Sequence, residues 1–173
     1  MPWKFTFEVD GVPQFNRAFN RISDHVQDLR TVWNYAEDAM VKIEEEQFLT
    51  EGAAGLHGRW QVLTPQYAKH KEKRYPGRPI LQRSYALVSS LTDKTKDSVR
   101  VKEKLEFAFG TSVKSKSGKD YPLMHQRGQG RLPARRAIDL SVSQRTYLQK
   151  EIQKGLLQII RSDSGIGSVV DFK

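Results

Sequence analysis

Cysteine is absent from the sequence, which removes disulfides, thiol catalysis and cysteine-held zinc and makes a disulfide-stapled secreted module untenable. Long apolar runs are missing as well. No stretch approaches the roughly 20 residues that span a bilayer. The opening Met1-Pro2-Trp3-Lys4-Phe5-Thr6-Phe7-Glu8 has no signal-peptide core, so synthesis in the cytoplasm and no membrane partner are expected. Histidine is scarce. His25, His57, His70 and His125 stand at no metal-ligand spacing and have no carboxylate partner at such a spacing, which leaves no metal to expect. Gly128-Gln129-Gly130 lacks the third glycine and the preceding strand of a dinucleotide fingerprint, and neither a Gly-Lys-Ser/Thr phosphate loop nor a Gly-x-Ser-x-Gly elbow occurs. The expectation is a protein with no catalytic residues and no cofactor, and not an enzyme.

What is present is a lean core and a strong charge. Hydrophobic residues make up 38% of the 173, with eight Phe, six Tyr and three Trp, so a folded chain is expected, and a single domain over residues 1–173. Lys and Arg number 29 against 20 Asp and Glu, for a net charge of +9. The distribution says more than the total. Residues 1–52 hold five basic and ten acidic side chains, residues 53–136 nineteen and six, and residues 137–173 five and four. Such a chain can hold nucleic acid through its middle, residues 59–136, or bind its own copies head to tail, acidic face on basic face.

Trp3, Phe5, Phe7 and Val9 alternate with polar residues as a half-buried strand does, over residues 3–9. From Phe15 the apolar positions Phe19, Ile22, Val26, Leu29, Trp33, Ala36, Met40 and Ile43 step by four and three, which predicts one long helix over 15–47. Its other face, with Asp24, Asp28, Glu37, Asp38 and the Glu44-Glu45-Glu46 run, reads as solvated. Gly52, Gly55 and Gly58 open a loop, and Thr64-Pro65 starts a short basic helix to about residue 74, Thr as cap and Pro at the first position. A further short helix is expected near 84–91, then an antiparallel hairpin from 98–102 and 104–110. Residues 112–120 form an exposed loop. Ser141 with Gln144 makes a capping box for a last helix to about 161, and 162–173 reads as a flexible tail. The predicted class is α+β, a small antiparallel sheet packed against a long N-terminal and a C-terminal helix. Trp33, Trp60, Phe107 and Phe109 are the expected core anchors.

The stretch from His125 to Arg136 is dense in Gly, Pro and Arg. An irregular backbone there would leave Arg127, Arg131, Arg135 and Arg136 projecting, which suits a protein or phosphate contact; with His125, Gln126, Gly128 and Pro133 they form the expected interface. Trp60, Tyr67, Tyr75 and Tyr121 place aromatics among the cations, as a nucleic-acid face would. Lys114, Lys116 and Lys119 mark residues 112–120 as a further contact, for a neighbouring ring or for DNA.

In order, Gly58-Arg59-Trp60-Gln61-Val62-Leu63-Thr64-Pro65, the lysines of 69–73, Ile80-Leu81-Gln82-Arg83-Ser84 with Leu87 and Ser90, Phe109-Gly110-Thr111, Tyr121 through Gly128, and Leu132-Pro133-Ala134-Arg135 resemble one family. It is the virion morphogenesis, or tail completion, family of tailed bacteriophages. The resemblance covers roughly residues 15–160, and its sharpest part is His125-Gln126-x-Gly128 with Pro133-Ala134-Arg135. Two departures stand out: Tyr85-Ala86 replaces the glycine usual before the Leu-x-x-Ser helix, and 112–120 looks like an insertion. The resemblance implies a small non-catalytic α+β subunit, working as a ring, six copies, at the tail top or neck. Its partners would be itself, other neck, connector and tail proteins, and non-specifically the packaged DNA, with the virion as its place.

Overall fold

Val32, Ala36, Ala39, Met40 and Ile43 make one apolar stripe at helical spacing, and they are the buried line of helix α1, Val32–Leu49. The computed structural model describes residues 28–164. After α1 come α2 (Pro65–Arg74), α3 (Ala86–Thr92), strands β1 (Ser98–Lys102) and β2 (Phe107–Thr111), α4 (Tyr121–Arg127) and α5 (Val142–Ser164). The strands pair antiparallel with Arg100 opposite Phe109 and Lys102 opposite Phe107. The class is α+β, as predicted. Helix α1 packs against α5 on one side and against α3 and the hairpin on the other.

The long helix is shorter than its apolar period. Residues 28–31 precede α1 as irregular chain and turn, because Leu29 gives its N–H to the Lys104 carbonyl at 2.7 Å and Asp28 holds the Arg30 N–H and Nε at 3.2 and 2.8 Å. A donor taken by a distant turn cannot be read from periodicity. The expected strand 3–9 and the part of the predicted helix before residue 28 lie outside the described residues. At the other end Gly52 has φ +90° and gives its N–H to the Gln47 carbonyl at 2.8 Å. A side chain there would also meet the Trp60 ring at 2.5 Å, so both backbone and packing require glycine.

Local signals set the other boundaries. Thr64 Oγ1 caps α2 by accepting the Tyr67 N–H, and Ser141 and Gln144 bond reciprocally at the start of α5. Helix α5 runs to Ser164, three residues into the stretch read as a tail; the remainder lies outside the described residues. Helix α4 was not predicted, and its last turn takes in residues 125–127, the start of the stretch expected to be irregular. Asp120 accepts the Leu123 N–H at 3.1 Å and Pro122 lies in the first turn, a start signal that the Gly and Arg density downstream hid.

Two packed regions hold these elements. Around α3, Phe48 and Trp60 meet edge to face at 5.4 Å with Leu87, Leu91 and Ala137, and Phe109, Tyr121 and Ile138 close over them. Trp60 and Phe109 thus anchor the core as expected. Trp33 and Phe107 do not join it: half-buried, they stack on each other at 5.9 Å, and Trp33 Nε1 donates to the Glu103 carbonyl in the hairpin turn. The second region is the α1–α5 contact, where Gly155 lies so close to Tyr35 and Val32 that a Cβ would fall 2.8 Å from the tyrosine ring. No helix among the described residues is long and apolar enough to cross a membrane.

Candidate interaction surface

Residues 125–136 fold into a clasp rather than a projecting loop. Arg135 is 5% exposed; its N–H donates to the His125 carbonyl at 2.7 Å, its Nε to the Gln61 carbonyl at 2.7 Å and its Nη2 to the Val62 carbonyl at 3.2 Å. Burial lowers its pKa, Tyr67 opposing. Gln126 grips Ile138 with both ends of its amide, Nε2 giving to the carbonyl and Oε1 taking the N–H. Gly128, at φ +73°, lets the Ala134 backbone come within 3.0 Å of where a Cβ would be. His125 is half-buried, its Nδ1 unpartnered, and burial together with Arg135 lowers its pKa, which keeps the ring neutral. Pro133 is half-buried too. The predicted interface therefore divides. His125, Gln126, Gly128, Pro133 and Arg135 are framework, because their bonds and packing are spent inside the chain, Arg135 on the carbonyls of 61–62 and Gln126 on Ile138. Arg127 and Arg131 are exposed, and Arg136 is half-buried with its carbonyl taken by Trp60 Nε1 at 2.8 Å.

The acidic side of α1 is likewise not simply solvated. Glu37 is 4% exposed and forms ion pairs with Lys102, with Arg100 at 3.6 Å and with Lys94 at 3.7 Å. Burial works against its charge, yet Lys102, Lys94 and Arg100 hold its carboxyl below the usual range. Arg100 lies 3.8 Å over the Phe109 ring and donates to the Ser90 and Leu91 carbonyls at 3.4 and 2.5 Å, closing the end of α3. Glu44 is fully buried with neither oxygen hydrogen-bonded, and burial pushes its pKa to about 8, Arg100 lowering and Asp139 raising it. Asp38, Glu45 and Glu46 are the exposed acids on this helix. None of the buried network was anticipated from the sequence.

A second unanticipated pair ties the glycine loop down. Asp139 takes the His57 N–H at 2.8 Å and meets its Nδ1 at 2.7 Å, supplying the carboxylate partner that spacing did not reveal. Gly55 makes room, since a Cβ there would fall 2.7 Å from the Asp139 carbonyl. Among the described residues no three His, Asp or Glu side chains gather as metal ligands would. Between α1 and the end of α3 an open groove of about 350 Å³ has both Glu37 and Asp93 and both Lys42 and Lys94 in its walls, so its charge selects no ligand.

No family model, curated protein or solved structure matches this chain.

Its surface, in contrast to the clasp, is basic around α2. Lys69, His70, Lys73, Arg74, Tyr75, Arg78, Arg83 and Tyr85 are all exposed. Of the aromatics expected among the cations, Trp60 is core and Tyr121 half-buried, while Tyr67 stacks on His70 at 6.3 Å and Tyr75 and Tyr85 carry guanidinium groups on their rings. Lys71 is the exception in α2: it is buried, with Nζ on the Arg78 carbonyl and, at 2.7 Å, on that of Pro79, which folds the following turn back onto the helix. Lys114, Lys116 and Lys119 are exposed on a loop closed by Ser115 and anchored by buried Val113.

Proposed function

We propose that the protein is a structural assembly subunit of a tailed bacteriophage, a non-catalytic tail-completion protein that forms a ring at the tail top or neck and supports head-tail joining. The ring has six copies, and the protein's place is the virion. One observation carries the reading: the signature segments, far apart in sequence, interlock. Arg135 of the Pro-Ala-Arg box bonds the carbonyls of Gln61 and Val62 and the His125 carbonyl, Trp60 bonds the carbonyl of Arg136 next to the box, and Ser90 and Thr111 share a hydrogen bond of 2.7 Å. Residues that recur as an ordered pattern because they build one fold would be expected to meet in this way.

Tyr85 adds to it. It sits at φ +58°, where glycine is unstrained, at the position where the family's glycine is replaced. Under this reading the exposed Arg127 and Arg131 and the loop lysines Lys114, Lys116 and Lys119 remain the contacts for neighbouring subunits and neck proteins. A phage lacking the protein should make filled heads and separate tails but few joined, infectious particles. Electron micrographs of the deletion lysate read this directly: abundant joined virions would remove the assembly role, and empty heads would assign the protein to DNA handling instead.

A further inference from the structure

Helix α2 and the turn behind it carry cations that the described residues pair with no acid. Lys69, Lys73, Arg74, Arg78 and Arg83 form no ion pair among the described residues. Glu72, the acid within α2, is turned to the Gly77 N–H. Lys69 and Lys73 stand four apart, hence side by side on a helix about 15 Å long. The Arg78 guanidinium lies 4.2 Å from the Tyr85 ring centre and that of Arg83 5.7 Å from Tyr75, so two rings and two cations interleave. A guanidinium on an aromatic face keeps its in-plane N–H groups free for the two parallel bonds that phosphate accepts. Tyr85 holds this place in a left-handed conformation that disfavours any side chain, at 39% exposure.

We propose that α2 with the Tyr75, Arg78, Arg83 and Tyr85 cluster is a binding surface for the phosphate backbone of duplex DNA, independent of sequence. The rival occupant, the acidic face of a second copy, is poorly matched: with Glu37 and Glu44 turned inward, the exposed acids of α1 are Asp38, Glu45 and Glu46, and Lys42 stands exposed among them. Duplex DNA offers a charge about every 1.7 Å of its axis. The inference does not depend on the phage assignment and moves the main polyanion contact from residues 112–120 to α2.

Fluorescence anisotropy with a labelled random-sequence duplex, between about 50 and 200 mM salt, tests it. The full chain should bind with a slope of log K against log salt of about −4.5, as about five neutralised phosphates give. Replacing Lys69, Lys73, Arg78 and Arg83 together by Gln should flatten the slope by about 3 to 4 and weaken binding at least tenfold at about 100 mM salt. Lys69→Gln and Lys73→Gln singly should each flatten it by about 0.9, which keeps the test open if the fourfold variant fails to fold. Lys114→Gln, Lys116→Gln and Lys119→Gln together should change affinity by less than about twofold. No duplex binding by the wild type, slopes unchanged by the α2 variants, or loss through the loop variant would each overturn the proposal. So would sedimentation showing that the α2 variants abolish self-association and leave DNA binding intact, which would hand the surface to a second copy. None of these results alters the micrographs expected for the deletion phage.

Discussion

Glu44→Gln should leave the protein more stable than wild type at pH 8 and remove much of its pH dependence between about 4.5 and 8. In the unfolded chain the carboxyl ionises at its ordinary value of 4.5; in the fold it holds its proton up to about 8. Between these values the native state carries the extra proton, so stability falls as pH rises, by about 1.4 kcal/mol per pH unit. The loss across the window is on the order of 5 kcal/mol. Above the folded value both states are ionised and this slope ends. The cause is geometric: Glu44 is fully buried and neither oxygen is hydrogen-bonded, while Gln47, three residues on, has an equally buried and unpartnered Oε1. A neutral carboxyl or an amide can donate; a carboxylate cannot. Urea midpoints of wild type and variant at about pH 5 and about pH 8 check it. The two should nearly coincide at the lower pH and separate at the higher, and parallel profiles would rule the effect out.

Arg135→Ala should cost roughly 3 kcal/mol of stability, because it removes a side chain 5% exposed together with its charge-assisted hydrogen bonds to the carbonyls of Gln61 and Val62. Arg136→Ala should stay within about 0.5 kcal/mol, since its structural bond to Trp60 comes from the backbone carbonyl, which alanine keeps. Arg135→Lys should recover only part, as an ammonium lacks the planar fork that reaches two carbonyls. Thermal melts of the three variants decide it. A drop of roughly 10 °C for Arg135→Ala beside an unchanged Arg136→Ala is the expected pattern; equal melting points would place Arg135 outside the framework.

Which elements were legible in the sequence follows from how local their causes are. Thr64-Pro65 and Ser141 with Gln144 cap helices within four residues, and the alternation at Phe107 and Phe109 needs only its own strand, so α2, the start of α5 and the hairpin could be predicted. The interior position of Glu37 depends on Arg100 and Lys102, which reach it because the register sets them opposite Phe109 and Phe107. A helical wheel that lacks the hairpin shows Glu37 and Glu44 merely as acids on a polar side. Arg135 differs from Arg127 and Arg131 in nothing but the chain that folds over it. His57 finds Asp139 across 82 residues, a distance at which spacing rules are silent.

The tether of α2 has a dynamic consequence. Ten residues are too few to hold a helix in water unaided, and α2 buries little beyond Lys71, whose ammonium fastens it to the turn at Arg78 and Pro79. Its amide protons should therefore exchange through local opening at a free energy well below that of the whole fold, while those of α1 wait for global unfolding. A polyanion laid along α2 would close that gap, because ordering the helix and gripping it become one event. Slowed exchange confined to residues 65–74 would then be a fingerprint of occupancy that needs no change of shape anywhere else in the protein.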